Sequence, residues 1–387
     1  SKMNVLFMLF NGESYDYIGS QRLVYDMKKE AFPAPSSHTR PLTLDNVEML
    51  IDLGALDSLD TLKIYHLTES STKAMTFKES IDVYNTELNL NLTIQNEPTN
   101  NIPPVSAQMF LRENVSFPTL VFATDKPKNQ FYHSIYDDAN NLNFIYHNST
   151  KDFDKLDSIG DASNFSDSSV QVKIRNIATA VGLGIYDMLM TDKKYSQNMI
   201  ASSALVDEFL YCFLISTKCQ LFQASLDLHD DHRVIAPPPQ RYVSVNSAQS
   251  LQATGWSYHL FGFILGEKNE MLKENCTTLP FYWIPGSSRN GECRYMTQNF
   301  STAMSPAFEE EENYNFKSNL YSTWTESTWN DLSARMFLQS SSSHDTFIFI
   351  IGLIFFILSF VTVSVVKSKA EILFGEAVIA EQYVLIN

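Results

Sequence analysis

Apolar and polar positions change rhythm along this chain, and each rhythm predicts an element. Val5 to Phe10 is a continuous apolar run that stops at Asn11-Gly12. Such a run predicts a strand buried on both faces, as in a parallel sheet. Tyr17 to Lys29 predicts a helix. Residues 44–67 alternate around Gly54, and Leu62 to Leu67 predicts a strand. Residues 70–101 are polar, with a helical stretch near 73–90. Phe117 to Thr124, bounded by Asp125-Lys126-Pro127, predicts another strand. Val170 to Met190 carries Ile174, Ile177, Ala178, Val181 and Leu183 at the spacing of one helix face. Val206 to Ser216 predicts a second apolar helix. Strands alternating with helices predict an α/β domain, with helices flanking a mostly parallel sheet. Ala236-Pro237-Pro238-Pro239 marks a break before a less regular second half.

The longest apolar run is of another kind. Thr346 to Val366 is 21 residues without a charge. A helix of that length spans roughly 30 Å, the thickness of a bilayer's hydrocarbon core. Only a helix satisfies its own backbone there. Lys367 and Lys369 follow the run and predict its cytosolic side. The expected organisation is an ectodomain over 1–345, lumenal or extracellular, a membrane helix over 346–366 and a cytosolic tail over 367–387. Ser1-Lys2-Met3 offers no signal sequence, so a preceding portion is expected to provide entry to the secretory pathway.

Composition narrows the partners. With 44 acidic against 28 basic residues the net charge is −16, which argues against nucleic acid. The acidic run Glu309 to Glu312 reads as a solvated loop. The four cysteines fall in two local pairs. An even count in an extracellular context suggests disulfides. Cys276 and Cys293 flank the turn formers Pro285, Gly286, Asn290 and Gly291, so a loop brings them together. Cys212 and Cys219 on one continuous helix would lie roughly 10 Å apart, too far to bridge. A helix ending near Ser216-Thr217 would remove that objection. The cysteines show no Cys-x-x-Cys metal spacing, and no cofactor is expected. Asn-x-Ser/Thr sequons stand at Asn91, Asn114, Asn148, Asn164, Asn275 and Asn299. All six lie on the side that the lysines assign to the lumen.

The first twenty residues carry the candidate chemistry. Gly12-Glu13-Ser14-Tyr15-Asp16-Tyr17-Ile18-Gly19-Ser20 follows the first apolar run. It resembles the G-E-E-x-G-L-L-G-S signature of co-catalytic zinc aminopeptidases. In that family the first Glu is the general base and the second binds metal. Glu13 matches the base, but Ser14 stands at the ligand position, and a hydroxyl is a poor substitute for a carboxylate on zinc. In Ile51-Asp52-Leu53-Gly54 the ligand register falls on Ile51, with Asp52 one place off. His133, in Tyr132-His133-Ser134-Ile135-Tyr136-Asp137, matches the family's last His ligand. A dinuclear site needs a full ligand set and a positioned water. The resemblance therefore implies a peptidase-like lobe, as also found in the transferrin receptor, without a metal site.

A closer resemblance is to the nicastrin family. It rests on Asp16 to Ser20 with Arg22 and Val24 to Met27, on Ser134 to Asp137, and on residues near the membrane run. Those are Ser305 to Phe308, Tyr321 to Ser327, Trp329, Asp331, Ala334-Arg335 and Phe337-Leu338. The resemblance covers the chain from residue 5 to about 375 and is densest at both ends. It implies a glycosylated type I membrane protein of the endoplasmic reticulum, Golgi and plasma membrane. It also implies a non-catalytic subunit of the γ-secretase complex, partnered by presenilin and two further membrane subunits. Substrates would be type I membrane proteins such as Notch and amyloid precursor protein. Glu13, Asp16, Tyr17, Ile18, Gly19 and Ser20 are the implied residues for substrate binding or assembly. A carboxylate there suits a peptide α-ammonium group. Equally, Glu13 and Asp16 suit the cap of the helix beginning near Tyr17, and Tyr17 suits packing. Trp324 and Trp329 read either as an interfacial aromatic anchor or as ectodomain core. The rival expectation is a membrane-anchored zinc aminopeptidase.

Overall fold

The computed structural model describes residues 3–33, 40–56, 59–99, 101–123, 131, 134, 136–148, 165–190, 194–226, 237–239, 253–277, 280–296, 298–301, 303–309, 314–324 and 341–374. His133, Asn164, Trp329, Glu310 to Glu312 and the tail after Phe374 lie outside the described residues. The chain divides into two compact units, Ser1–Ser327 and Thr328–Asn387.

In the first unit, β1 (Leu50–Leu53), β2 (Thr61–His66), β3 (Thr93–Pro98) and β4 (Thr119–Ala123) form one sheet in the order β1-β4-β2-β3. The β1–β4 and β2–β3 pairs are parallel, and β2–β4 is antiparallel. All five residues of the central strand β4 are buried, which is what a Thr-Leu-Val-Phe-Ala run needs. Leu120 and Phe122 face one layer, with Leu62 and Ile64 of β2. That layer is α2 (Ser71–Glu87) and α4 (Val170–Leu189), which supply Phe77, Ile81, Ile177 and Val181. Val121 and Ala123, one residue out of phase, face Val105 and Ala107 at the start of α3 (Ala107–Glu113). Leu23, Val24 and Met27 of α1 (Ile18–Lys28) pack beside Phe110 and Phe117. Helices thus flank the sheet as the alternation predicts.

The apolar run Val5 to Phe10 is the main departure. It forms no strand, and Leu6, Phe7 and Leu9 are exposed. A strand requires a hydrogen-bonding neighbour, and none of the four strands above takes this segment. Strand β3 departs in the opposite sense. Thr-Ile-Gln-Asn-Glu-Pro reads as polar, yet it pairs in register along β2.

After α4 come α5 (Ser203–Leu214) and α6 (Gln220–Ser225), and beyond the proline break lie α7 (Ala253–Leu265) and three short strands. These are β5 (Glu267–Asn269), β6 (Phe281–Ile284) and β7 (Glu292–Tyr295), antiparallel in the order β5-β7-β6. Their core centres on Trp256, stacked on Phe222 at 4.2 Å. Both cysteine pairs are disulfides, Cys212–Cys219 with Cα atoms 5.2 Å apart and Cys276–Cys293 with 6.0 Å. Helix α5 ends at Leu214, so the chain turns before Cys219 and the helical distance does not apply. In the second unit, α8 (Ser342–Ser368) is 27 residues long, its most apolar 18-residue window has mean hydropathy 2.8, and none of its residues is buried. It is long and apolar enough to cross a membrane. A short helix, α9 (Ala370–Phe374), follows.

Candidate functional site

The nine residues from Gly12 to Ser20 make a tight turn into α1, and each position has a local reason. Asp16 and Tyr17 both adopt left-handed backbone, with φ of 63° and 55°. Tyr17 is the N-cap residue of α1, but its side chain makes no capping hydrogen bond. Glu13 fills that role from upstream. The Ser20 backbone N–H donates to Glu13 Oε1 at 2.9 Å, and the Ser20 hydroxyl donates to Oε2 at 2.8 Å. Oε2 also accepts from the Ser106 hydroxyl at 2.5 Å. An acceptor placed on the third N–H of a helix satisfies one of its orphan donors and complements the positive end of its dipole. Asp16 is exposed and Ile18 is buried. Gly19 is required by close approach, because a Cβ there would sit 2.4 Å from the Asn11 carbonyl oxygen and 2.9 Å from Glu13 Oε1. Any side chain at position 19 would push the turn away from α1.

A second carboxylate completes the arrangement. Asp52, at the end of β1, accepts from the Ala107 backbone N–H at 2.7 Å and so caps α3. Ser106 stands between the two caps. Burial pushes the Glu13 carboxyl above the usual carboxylate range, and the Asp52 charge adds to this; the Ser106 and Ser20 bonds work against it. Burial raises Asp52 as well, opposed by its bond to Ala107. Both Glu13 oxygens are engaged by the chain's own donors. Neither of the two cavities found among the described residues is lined by Glu13.

Ser14 and Ile51, the two described positions compared with metal ligands, lie in different environments. Ser14 is exposed, whereas Ile51 packs against the main core on the α2–α4 side. Asp52, one residue on, points to the other side of the strand, where Ala107 and Glu13 lie. The one cluster of potential ligand side chains among the described residues is Glu208 with Cys212 and Cys219. Those two sulfurs are already joined to each other, and Glu208 accepts from the Tyr146 hydroxyl at 2.6 Å and the Gln220 N–H at 2.9 Å.

The turn is also tied to the far end of the first unit. Gln21 Oε1 accepts from the Ser322 N–H at 2.8 Å, and the Ser322 hydroxyl donates to the Tyr15 carbonyl at 3.1 Å. The Ser305 hydroxyl donates to the Ser322 carbonyl at 2.5 Å. Arg22 bridges Asp26 at 2.9 Å and Glu309 at 2.7 Å. Tyr15 packs on Trp324 with ring centroids 5.5 Å apart, and Trp324 is otherwise exposed. The two stretches that resemble a known family most closely, at opposite ends of the first unit, are therefore one structural region. Sequence reading missed Ser106 and Gln21, and it quoted Ser322 only within a family resemblance, with no contact assigned. Ser106 had a usable signal, a serine just before the apolar helix Ala-Gln-Met-Phe-Leu. The contact between Gln21 and Ser322 had none, because the two residues are about three hundred positions apart.

Of the sequon asparagines, Asn91, Asn114, Asn148, Asn275 and Asn299 are described, and all five are exposed.

Comparison with known proteins comes from several directions. Residues 1–186 match the family described as the nicastrin large lobe. Human nicastrin is 28% identical over 395 residues, covering 96% of this chain and 53% of the human protein. Mouse nicastrin gives 28% over 401 residues, with the same coverage of 96% and 53%. Nicastrin of Arabidopsis thaliana gives 22% over 411 residues, covering 95% of this chain and 55% of its own. The chain thus spans about half the length of the curated relatives it matches. A crystal structure of the γ-secretase component nicastrin superposes with a TM-score of 0.48 at 15% identity, covering 77% of this chain and 50% of that one.

Proposed function

Given that the chain belongs to the nicastrin family, we propose that it serves as a non-catalytic, single-pass subunit of a γ-secretase-type intramembrane protease. Helix α8 crosses the membrane, Lys367 and Lys369 hold its cytosolic end, and residues 1–345 are lumenal or extracellular. The ectodomain supports assembly with presenilin and the other membrane subunits, and it screens type I membrane substrates. It contributes no bond-breaking groups of its own. Gly352 on α8 has no atom within 4 Å of where a Cβ would lie, which leaves that face free for a partner helix.

The observation that carries this reading is the engagement of Glu13. A general base or a ligand for a peptide amine needs an oxygen free to meet its target. Glu13 already accepts three hydrogen bonds from Ser20 and Ser106, which fill most of its acceptor sites. This supports Glu13 as a positioning residue, one that sets the turn on which Arg22, Gln21 and the 305–324 stretch are assembled. Its role in substrate selection is then indirect, through the shape of the ectodomain.

A mild-detergent purification of the full chain through a C-terminal tag tests the proposal, with partners identified by mass spectrometry. Recovery of presenilin with the other subunits is the expected result. Clean recovery of the chain without them would overturn it. Bound zinc with aminopeptidase activity would favour the peptidase reading in its place.

A further inference from the structure

The uncharged run of α8 stops at Val366, but exposed apolar side chains continue past it. Helix α8 ends at Ser368 and α9 begins at Ala370, so the helix is broken at Lys369. Just beyond the break, Ile372 and Leu373 are 82% and 58% exposed. Their backbone N–H groups both donate to the Lys369 carbonyl, at 3.0 and 2.9 Å. The pair is thus held on a closed turn directly after the break. Apolar surface presented this way is stabilised by any cover that removes it from water.

Distance and charge indicate the cover. Had α8 continued straight, Ile372 would lie about 9 Å beyond Val366, at 1.5 Å per residue. The headgroup layer of a bilayer is roughly 5–8 Å deep on each side, so that course would carry Ile372 into water. A chain that turns at Lys369 keeps Ile372 and Leu373 at the level where surface helices bury their apolar side. Lys367 and Lys369 are exposed at the same level, and no carboxylate pairs with either among the described residues. Elsewhere in this acidic chain Lys28, Lys63, Lys73 and Lys173 all meet carboxylates. Two cations without counter-charges beside two uncovered apolar side chains match an anionic lipid surface, which offers phosphates above acyl chains. Neither signal alone holds a segment firmly to a membrane, and here both are present.

We propose that α9 lies on the cytosolic surface of the bilayer, with Ile372 and Leu373 inserted where headgroups meet acyl chains and Lys367 and Lys369 on the phosphates of anionic lipids. Held so, α9 fixes the depth and rotation of α8 in the membrane. The inference rests on α8 crossing the bilayer and asks nothing of the partner subunits.

The test uses the full chain in nanodiscs of phosphatidylcholine and phosphatidylserine, whose two faces are both open to solutes. All four native cysteines are in disulfides, so one added cysteine takes a fluorescent label alone. Labels are placed through Ile372→Cys and Leu373→Cys, through Ile354→Cys within α8, and through Asn315→Cys at an exposed ectodomain position. Lipids brominated just below their carbonyls should quench the Ile372 and Leu373 labels, and iodide in the water should reach them several-fold less than the Asn315 label. Each lysine near an anionic surface shifts the equilibrium about fivefold. Lys367→Gln with Lys369→Gln, or omission of phosphatidylserine, should therefore raise iodide quenching at Ile372. Iodide quenching at Ile372 equal to that at Asn315 would place α9 in water and overturn the inference. Protection from iodide without quenching by brominated lipid would show a protein cover and overturn it too. Indifference to both the lysines and phosphatidylserine would overturn the anionic-lipid contact. Iodide reaching Ile354 would overturn the spanning reading of α8 itself, and this inference with it.

Discussion

Between Leu50 and Leu189 the first unit is held by a sheet whose central strand is buried throughout, and by helices packed on both its faces; no disulfide is formed there. Between Ser203 and Tyr295 the strands are only three or four residues long, and two disulfides bind the region. Short antiparallel strands fix their register weakly, since each contributes few ladder bonds. Cys276–Cys293 fixes β7 against the loop that precedes β6, while Cys212–Cys219 fixes the turn from α5 into α6. One region thus depends on continuous burial and on the cap that Asp52 supplies to α3, with Glu13 joining α1 to it through Ser106. The other depends on covalent links around a single aromatic stack. The same substitution chemistry should therefore have different reach in the two.

Removing buried volume from the first region should cost most. Phe77 is 1% exposed and packs on Phe122 at 5.6 Å. Phe77→Ala should lower stability by about 3–5 kcal/mol, as measured by denaturant unfolding of the ectodomain. An equal loss from an exposed position such as Phe316→Ala would break the comparison.

The covalent links come next. Replacing Cys276 and Cys293 together by serine opens a loop with a sequence separation of 17 and should cost about 3 kcal/mol. Hydrogen exchange should rise in β5, β6 and β7 and stay unchanged in β1 to β4. Spread of the change into β4 would show that the two regions unfold as one.

The smallest effect is a matter of pH. Glu13 and Asp52 both have folded-state values raised above their ordinary 4.5 and 3.8. The folded state therefore binds these protons more tightly than the unfolded chain. Stability from these groups is greatest below the ordinary values and is lost as pH rises through the raised ones, by at most about 1.4 kcal/mol per pH unit for each proton. Glu13→Gln should flatten the decline of stability with pH just above 4.5. An unchanged slope would remove Glu13 as its source.

How much of this was legible depended on how local the cause was. Helices α1, α2, α4 and α5 follow from apolar spacing within their own residues, and β2 and β4 from short β-rich runs. Strand β3 was hidden because its residues are polar and only its pairing with β2 makes it a strand. Val5 to Phe10 misled for the converse reason, since hydrophobic character without a paired neighbour does not make a strand. The disulfide Cys212–Cys219 hinged on where one helix stopped, which spacing alone left open. At the candidate site, Glu13, Gly19 and Ser20 were visible as a motif. Their reasons were not, because Ser106, Asp52 and Ser322 come from distant parts of the chain.

The central claim is that Glu13 supports the first unit by holding α1, α3 and the 305–324 stretch together. Its most direct test is hydrogen exchange by mass spectrometry on the full chain, comparing wild type with Glu13→Ala. The account predicts faster exchange in peptides from α1, from residues 106–113 and from 305–324, with the region around Trp256 unchanged. Unaltered exchange in α1 and 305–324 would contradict it, and Glu13 would then have to act on something outside its own chain.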